Sequence, residues 1–263
     1  MSKNAEKHGI VHFVPVLEPA LAQKYADEVL ALSHLWITQI QYFNTFGAVT
    51  YLEAFNEKGV LPYSQLGPYH AHKTLINPVF KRHFSKLYEQ LCTSLSKHLD
   101  TPCQLIDDLG YPGFHIYGAT KSEGQMDQQF IDSFVGDSWS HLHVDIQYLP
   151  HQPAWDQFSE VDLLNPMTFT LSLQLPESGS ALRHWHSIDS PIEAQAFNYT
   201  TLDERAKLIG DAKLAKYEPG VLTYFIGHLI HQIPAANPLL ATDRRITLQG
   251  HGIKCDGVWR LYF

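Results

Sequence analysis

Apolar positions recur every three to four residues through most of the first hundred positions, and about every second residue after Thr101-Pro102. Glu18-Pro19 opens a first predicted helix with Leu21, Tyr25, Val29 and Leu32 on one stripe, proline standing in the first turn where no N–H donor is needed. A second is predicted to start at Asn77-Pro78 and to bury Phe80, Phe84, Leu87, Leu91, Leu95 and Leu99. The aromatic, glycine-containing stretch 42–70 between them reads as a buried connector or a substrate-facing wall. Beyond residue 101, seven short runs read as strands: 112–119, 140–149, 167–175, 181–188, 220–227, 244–253 and 258–263. One helix is expected among them at about 202–215, announced by Thr201 and Glu204 in a capping box.

Strands bounded by turn residues and preceded by helices predict a mainly β fold with α. The expected architecture is a jelly-roll sandwich or barrel buttressed by N-terminal helices. No repeat or linker divides the chain. It is therefore read as one domain, 1–263, in which a mainly helical part, 1–100, packs on a jelly-roll core, 101–263.

Composition narrows the function. The 263 residues are 44% apolar and carry a net charge of -8 without a Lys/Arg cluster, which argues against a nucleic-acid partner. The start, MSKNAEKHGIVHF, holds no apolar signal core, and no apolar run of about 18 residues occurs anywhere. A cytoplasmic protein with no membrane partner is the expectation. Cys92, Cys103 and Cys255 are spaced too widely for a disulfide framework or a zinc ribbon. Sixteen histidines against three cysteines point instead to nitrogen- and oxygen-ligated metal chemistry.

The sharpest local signal is His141-Leu142-His143-Val144-Asp145. On a strand, residues two apart share a face, so His143 and Asp145 can both reach one ion. The H-x-D pattern alone is not diagnostic, since His98-Leu99-Asp100 repeats it at a helix end, where residues two apart diverge. Context separates them. Gly220 to Phe225 leads through a glycine to His231, and Arg244-Arg245-Ile246-Thr247 follows. Two imidazoles and a carboxylate suit one face of Fe(II), while a guanidinium with a hydroxyl suits the distant carboxylate of a dicarboxylic co-substrate.

In this order the motifs resemble those of the Fe(II)/2-oxoglutarate-dependent dioxygenases, H-x-D, a distal His and Arg-x-Ser/Thr on a double-stranded β-helix, over about residues 111–253. The resemblance implies Fe(II) bound by His143, Asp145 and His231. It implies 2-oxoglutarate as co-substrate, its C5 carboxylate held by Arg245 and Thr247, and O2 as oxidant, with succinate and CO2 released. The phrases Pro-Gly-Phe-His-Ile-Tyr, Pro-Glu-Ser-Gly-Ser-Ala-Leu and Gly-x-Leu-x-x-Phe are also similar to those around the family's site. Halogenating relatives replace the carboxylate by Gly or Ala. Asp145 therefore implies oxygenation, usually hydroxylation, of a small molecule; a faint similarity of Tyr42 to Ala54 to the subgroup acting on free amino acids and their derivatives makes an amino acid or a metabolite derived from one a candidate.

His228 rivals His231 as distal ligand, but the family phrase favours the histidine just before an apolar residue and Pro. Arg244 and Arg245 face opposite ways on a strand, and Arg245 shares its side with Thr247, Gln249 and His251. His184 and His186 lack a third ligand at usable spacing. Tyr117, Trp139, His141 and Arg183 are candidate substrate contacts. The alternative is a cupin-like metal enzyme or binding protein using the same three ligands without 2-oxoglutarate, which would not need Arg245 or Thr247. A zinc hydrolase would need a general-base Glu, and none lies in the H-x-D segment. Oligomeric state is not legible.

Overall fold

A computed structural model of the protein describes residues 9–48, 67–118, 125–132 and 140–263, and the backbone alone at 55–56, 59–60 and 133–134. In chain order the strands are β1 (His12–Pro15), β2 (Ile37–Ile40), β3 (Phe43–Phe46), β4 (Phe55–Asn56), β5 (Gly59–Val60), β6 (Cys103–Leu105) and β7 (Gly113–Tyr117). They continue with β8 (Val161–Gln174), β9 (Ala181–Ile188), β10 (Lys213–Lys216), β11 (Val221–Ile226), β12 (His228–Gln232), β13 (Arg245–Cys255) and β14 (Val258–Tyr262). The α-helices are α1 (Pro19–Ala31), α2 (Gly67–His83), α3 (Ser85–Leu99), α4 (Gln128–Phe134), α5 (Gln152–Trp155), α6 (Pro191–Tyr199) and α7 (Leu202–Leu208).

The larger sheet runs β1-β11-β8-β13-β7-β3-β2, and β14 links β13 to β6. Strand β13 is its spine, pairing along one edge with β8 and along the other with β7 and then β14. A smaller sheet, β10-β9-β12, carries Leu182 and His231 onto a wall of the same cavity that Thr168 and Phe225 of the larger sheet line. Alternation divides the larger sheet by face. Phe114, Ile116, Leu171, Leu173, Ile246 and Leu248 turn outward and are covered by Ala22, Ala26, Val29, Phe80, Phe84 and Leu91 of the helices. Edge-to-face pairs such as Phe46–Phe80, with centroids 4.8 Å apart, lock that layer. The opposite face, with Thr168, Thr170, Ser172, Arg245, Thr247, Gln249 and His251, is polar and turned inward.

The N-terminal part enters the sheet as well as covering it. β1 pairs with β11, and the β2–β3 hairpin pairs with β7. Strands of four residues offer only two alternations, too few for their period to show against the helical pattern around them.

The helix expected to start at Pro78 instead begins at Gly67, runs through Pro78, and gives way to α3 at Phe84. Asn77 does not cap it: its side chain accepts from the Tyr111 N–H at 3.1 Å and donates to the Leu109 carbonyl at 2.9 Å, tying α2 to the segment before β7. The helix expected over 202–215 stops at Leu208, and Lys213–Lys216 becomes an edge strand on β9. Gly210 and the tertiary partner β9 outweigh the capping box, which is nonetheless formed.

Candidate metal centre

The 140–149 run is not a ladder strand. Among the described residues it makes one isolated bridge, His143 to His231, and enters a turn at Gln147. The alternation survives without the ladder. Leu142, Val144 and Ile146 are buried in a cluster with Phe197 and Ile230, which sends His143 and Asp145 to the other side.

There they meet His231 of β12. Ligand atoms of His143, Asp145 and His231 all lie within 4.8 Å of one another, the one such group among the described residues. His143 Nε2 stands 3.5 Å from Asp145 Oδ1, and His231 Nε2 stands 3.5 Å from Asp145 Oδ2. The other ring nitrogens are committed: His143 Nδ1–H donates to the His141 carbonyl at 2.6 Å, and His231 Nδ1–H to the Leu229 carbonyl at 2.9 Å. A carbonyl only accepts, so each imidazole carries its proton on Nδ1 and turns an Nε2 lone pair inward. Asp145 is held from behind, Oδ1 accepting from Gln147 Nε2 at 2.9 Å and Oδ2 from Thr168 Oγ1 at 2.8 Å. Thr168 also lies 3.2 Å from His251 Nδ1.

Burial would raise the Asp145 pKa, but the imidazoles of His231 and His143 beside it hold the carboxyl well below its ordinary range. Burial, reinforced by His143, pushes His231 down to about 4. An ionised carboxylate and inward imidazole lone pairs are the donor set that a divalent first-row metal takes. The residues present fit Fe(II).

These residues line a cavity of about 490 Å³ between the sheets, whose walls include Tyr117, Phe225, Ile233 and Phe263. Behind two of its lining residues lies Arg245, fully buried, its Cζ 5.6 and 5.3 Å from the ring centroids of Tyr117 and Tyr217. Its Nη1 donates to Thr247 Oγ1 at 3.4 Å, while Nε and Nη2 find no hydrogen-bond partner among the described residues. Ser172 Oγ and Thr223 Oγ1 are likewise buried without partners among the described residues, and Ser172 is the cross-strand partner of Thr247. A buried guanidinium with spare donors beside spare hydroxyls suits a carboxylate.

The remaining predicted contacts divide. Tyr117 and His141 line the cavity. Arg183 does not: it alternates with the buried Leu182 and His184, and its Nη1 reaches Gln232 Oε1 at 3.4 Å. Trp139 lies outside the described residues. His228, three residues before His231 at the start of β12, is buried and bonded to the Tyr148 hydroxyl at 2.8 Å. His186 is exposed, and His184 opposes His231 across β9–β12 without joining the group. Sequence reasoning missed Gln147, Thr168, Ser172, Tyr217 and Thr223. Thr168, Thr170 and Ser172 carry a legible signal, polar residues at every second position of an otherwise apolar strand.

No protein-family model matches the chain, and no curated protein matches it in sequence. Solved structures do. An N-substituted L-amino acid dioxygenase from Burkholderia ambifaria superposes with a TM-score of 0.51 at 13% identity, over 96% of this chain and 86% of that one. The alpha-ketoglutarate-dependent epimerase SnoN of nogalamycin biosynthesis gives a TM-score of 0.48 at 10% identity, over 97% and 82%. A Pseudomonas putida prolyl-4-hydroxylase gives 0.39 at 12%, over 99% and 96%. The first likeness fixes the architecture, and the chain has the double-stranded β-helix fold of the non-haem Fe/2-oxoglutarate-dependent dioxygenases.

Proposed function

We propose that the protein is an Fe(II)- and 2-oxoglutarate-dependent oxygenase that hydroxylates an unactivated C–H bond of a small molecule. The observation that carries this reading is the pairing of two features around one cavity. His143, Asp145 and His231 converge on one point, and Arg245, packed behind the lining residues Tyr117 and Tyr217, has donors without a partner among the described residues. A metal protein without a dicarboxylic co-substrate has no use for the second feature, and a buried unpaired guanidinium is costly to keep.

Fe(II) with 2-oxoglutarate, when bound, supplies the activation of O2 and the oxidation of the C–H bond. The chain's residues do the rest. Nε2 of both histidines and the Asp145 carboxylate would hold the metal, Gln147 and Thr168 fixing the carboxylate's orientation. Arg245, with the Thr247, Ser172 and Thr223 hydroxyls, would hold the far carboxylate, so that the keto acid is oriented before chemistry begins. Tyr117, Phe225, Ile233 and Phe263 supply apolar walls that keep water from the reacting centre. Presence of Asp145 supports oxygen transfer over halogenation.

On this reading residues 1–263 form one unit, supported by the pairing of β1, β2 and β3 into the sheet that carries Arg245. A reducing, cytoplasmic setting is supported by the three cysteines, all free thiols. Among the described residues no helix is long and apolar enough to cross a membrane.

The test is succinate release from 2-oxoglutarate, under aerobic Fe(II) conditions, across a panel of amino acids and neutral metabolites. Stimulated release with a product 16 mass units heavier supports the proposal. Metal binding without any 2-oxoglutarate turnover or affinity would replace it with the cupin-like reading.

A further inference from the structure

We infer that Asn198, at the end of α6, is a positioning residue that aims the His143–Asp145 segment at the metal; the inference rests on reading those residues as metal ligands. In an extended segment the backbone N–H and C=O of successive residues point to opposite sides. His143 uses its pair on one side: its N–H donates to the His231 carbonyl and its carbonyl accepts from the His231 N–H, both at 3.0 Å. Val144, between the two ligands, must therefore find partners on the other side. It finds no strand there. The Asn198 carboxamide takes the place of one, its Oδ1 accepting from the Val144 N–H at 2.9 Å and its Nδ2 donating to the Val144 carbonyl at 2.7 Å. One side chain thus supplies both ladder bonds that a neighbouring residue would supply.

The backbone that carries this carboxamide is itself held. Arg205 of α7 donates through Nη2 to the Asn198 carbonyl, through Nε to the Thr200 carbonyl at 3.1 Å, and through Nη1 to the Leu142 carbonyl at 2.6 Å. The α6–α7 elbow therefore holds the ligand segment at Leu142 and at Val144, while His231 holds it from within. Phe197, buried against Leu142, Val144 and Ile146, packs the same elbow down. Without Asn198 the segment keeps its bridge to His231 and the Arg205 bond at Leu142 but loses both partners of Val144, and a peptide free to rotate there swings His143 and Asp145 apart.

Co(II) affinity and visible absorption of the purified full chain, by titration without oxygen, test this together with amide hydrogen exchange of metal-free protein. Asn198→Ala should weaken Co(II) binding by about 10- to 100-fold, the effect of losing a partner that orients a ligand. It should also alter the cobalt absorption band and speed exchange at Val144 while leaving β11 protected. Arg205→Lys, which keeps a cation on α7 but gives up the forked grip, should shift affinity in the same direction by less. Ser190→Ala, which removes only the hydroxyl that accepts from the Glu193 N–H at the start of α6, should lower the melting temperature and leave Co(II) affinity unchanged. Asn198→Ala within twofold of the native affinity, or Ser190→Ala weakening binding as much, overturns the inference. Failure of the native chain to bind Co(II), or its retention by His143→Ala, overturns the metal reading instead.

Discussion

His143 and His231 exchange both of their backbone hydrogen bonds, N–H to carbonyl at 3.0 Å each way, and their rings lie 4.3 Å apart. Two ligands that stand 88 positions apart in sequence are thereby fixed as if they were neighbours on one hairpin. The carboxylate that completes the group is two residues from the first and 3.5 Å from both imidazoles.

Replacement should separate His231 from His228. His143→Ala, Asp145→Ala and His231→Ala should each lose Fe(II) on gel filtration, since two remaining ligands bind weakly. His228→Ala should keep the metal and lower stability by about 1–3 kcal/mol, because it leaves the buried Tyr148 hydroxyl short of a partner. The measurement is metal content beside a urea melt. Metal loss in His228→Ala with full retention in His231→Ala would reverse the assignment.

Arg245 gives two effects of opposite sign. Arg245→Ala should weaken 2-oxoglutarate binding by about 2–4 kcal/mol, or roughly 30- to 1000-fold, and Arg245→Lys should recover little of it, lacking the planar fork. Arg245→Met should bind no better, yet raise the stability of the ligand-free protein by about 1–3 kcal/mol, since an apolar chain of similar length relieves an uncompensated buried charge. Isothermal titration and urea unfolding read the two. An Arg245→Met protein that is both less stable and still able to bind 2-oxoglutarate would mean that the guanidinium serves the fold alone.

The bonds behind Asp145 should matter to the metal. Thr168→Val keeps the volume and removes the donor to Oδ2, and should cost about tenfold or more in Fe(II) affinity, with little change in melting temperature. Competition against a chromophoric chelator measures it. Equal affinities would show that Gln147 alone orients the carboxylate.

The thiols should be silent. Burial pushes Cys92 up to about 12 and Cys103 and Cys255 up to about 11. A disulfide-exchange reagent at pH 8 should therefore modify none in the folded chain over minutes and all three in urea. Sign follows from the same shifts. Unfolded thiols ionise near pH 8.5, so stability from these groups is present below that pH and declines as pH rises toward 11. Rapid native labelling of Cys103 or Cys255 would place them at the surface.

The sequence by itself determined the inner and outer faces of the long strands and the residue types of the site. Polar residues alternating with apolar ones in 167–175 and 244–253 leave one way to bury the apolar set, so Arg245 and Thr247 had to share the inner face. It also carried the order H-x-D, His, Arg-x-Thr that distinguishes His143 from His98. Tertiary structure decided everything that depends on a distant partner. Residues 140–149 alternate like a strand, yet one bridge and the Asn198 side chain take the place of a ladder. Lys213–Lys216 follows a formed capping box, yet joins β9 because an edge there lacks a neighbour. Arg183 could be placed in or out of the pocket only once Leu182 was seen to take the inner position. Local pattern fixes which way a side chain points relative to its own backbone, and only packing fixes what stands opposite.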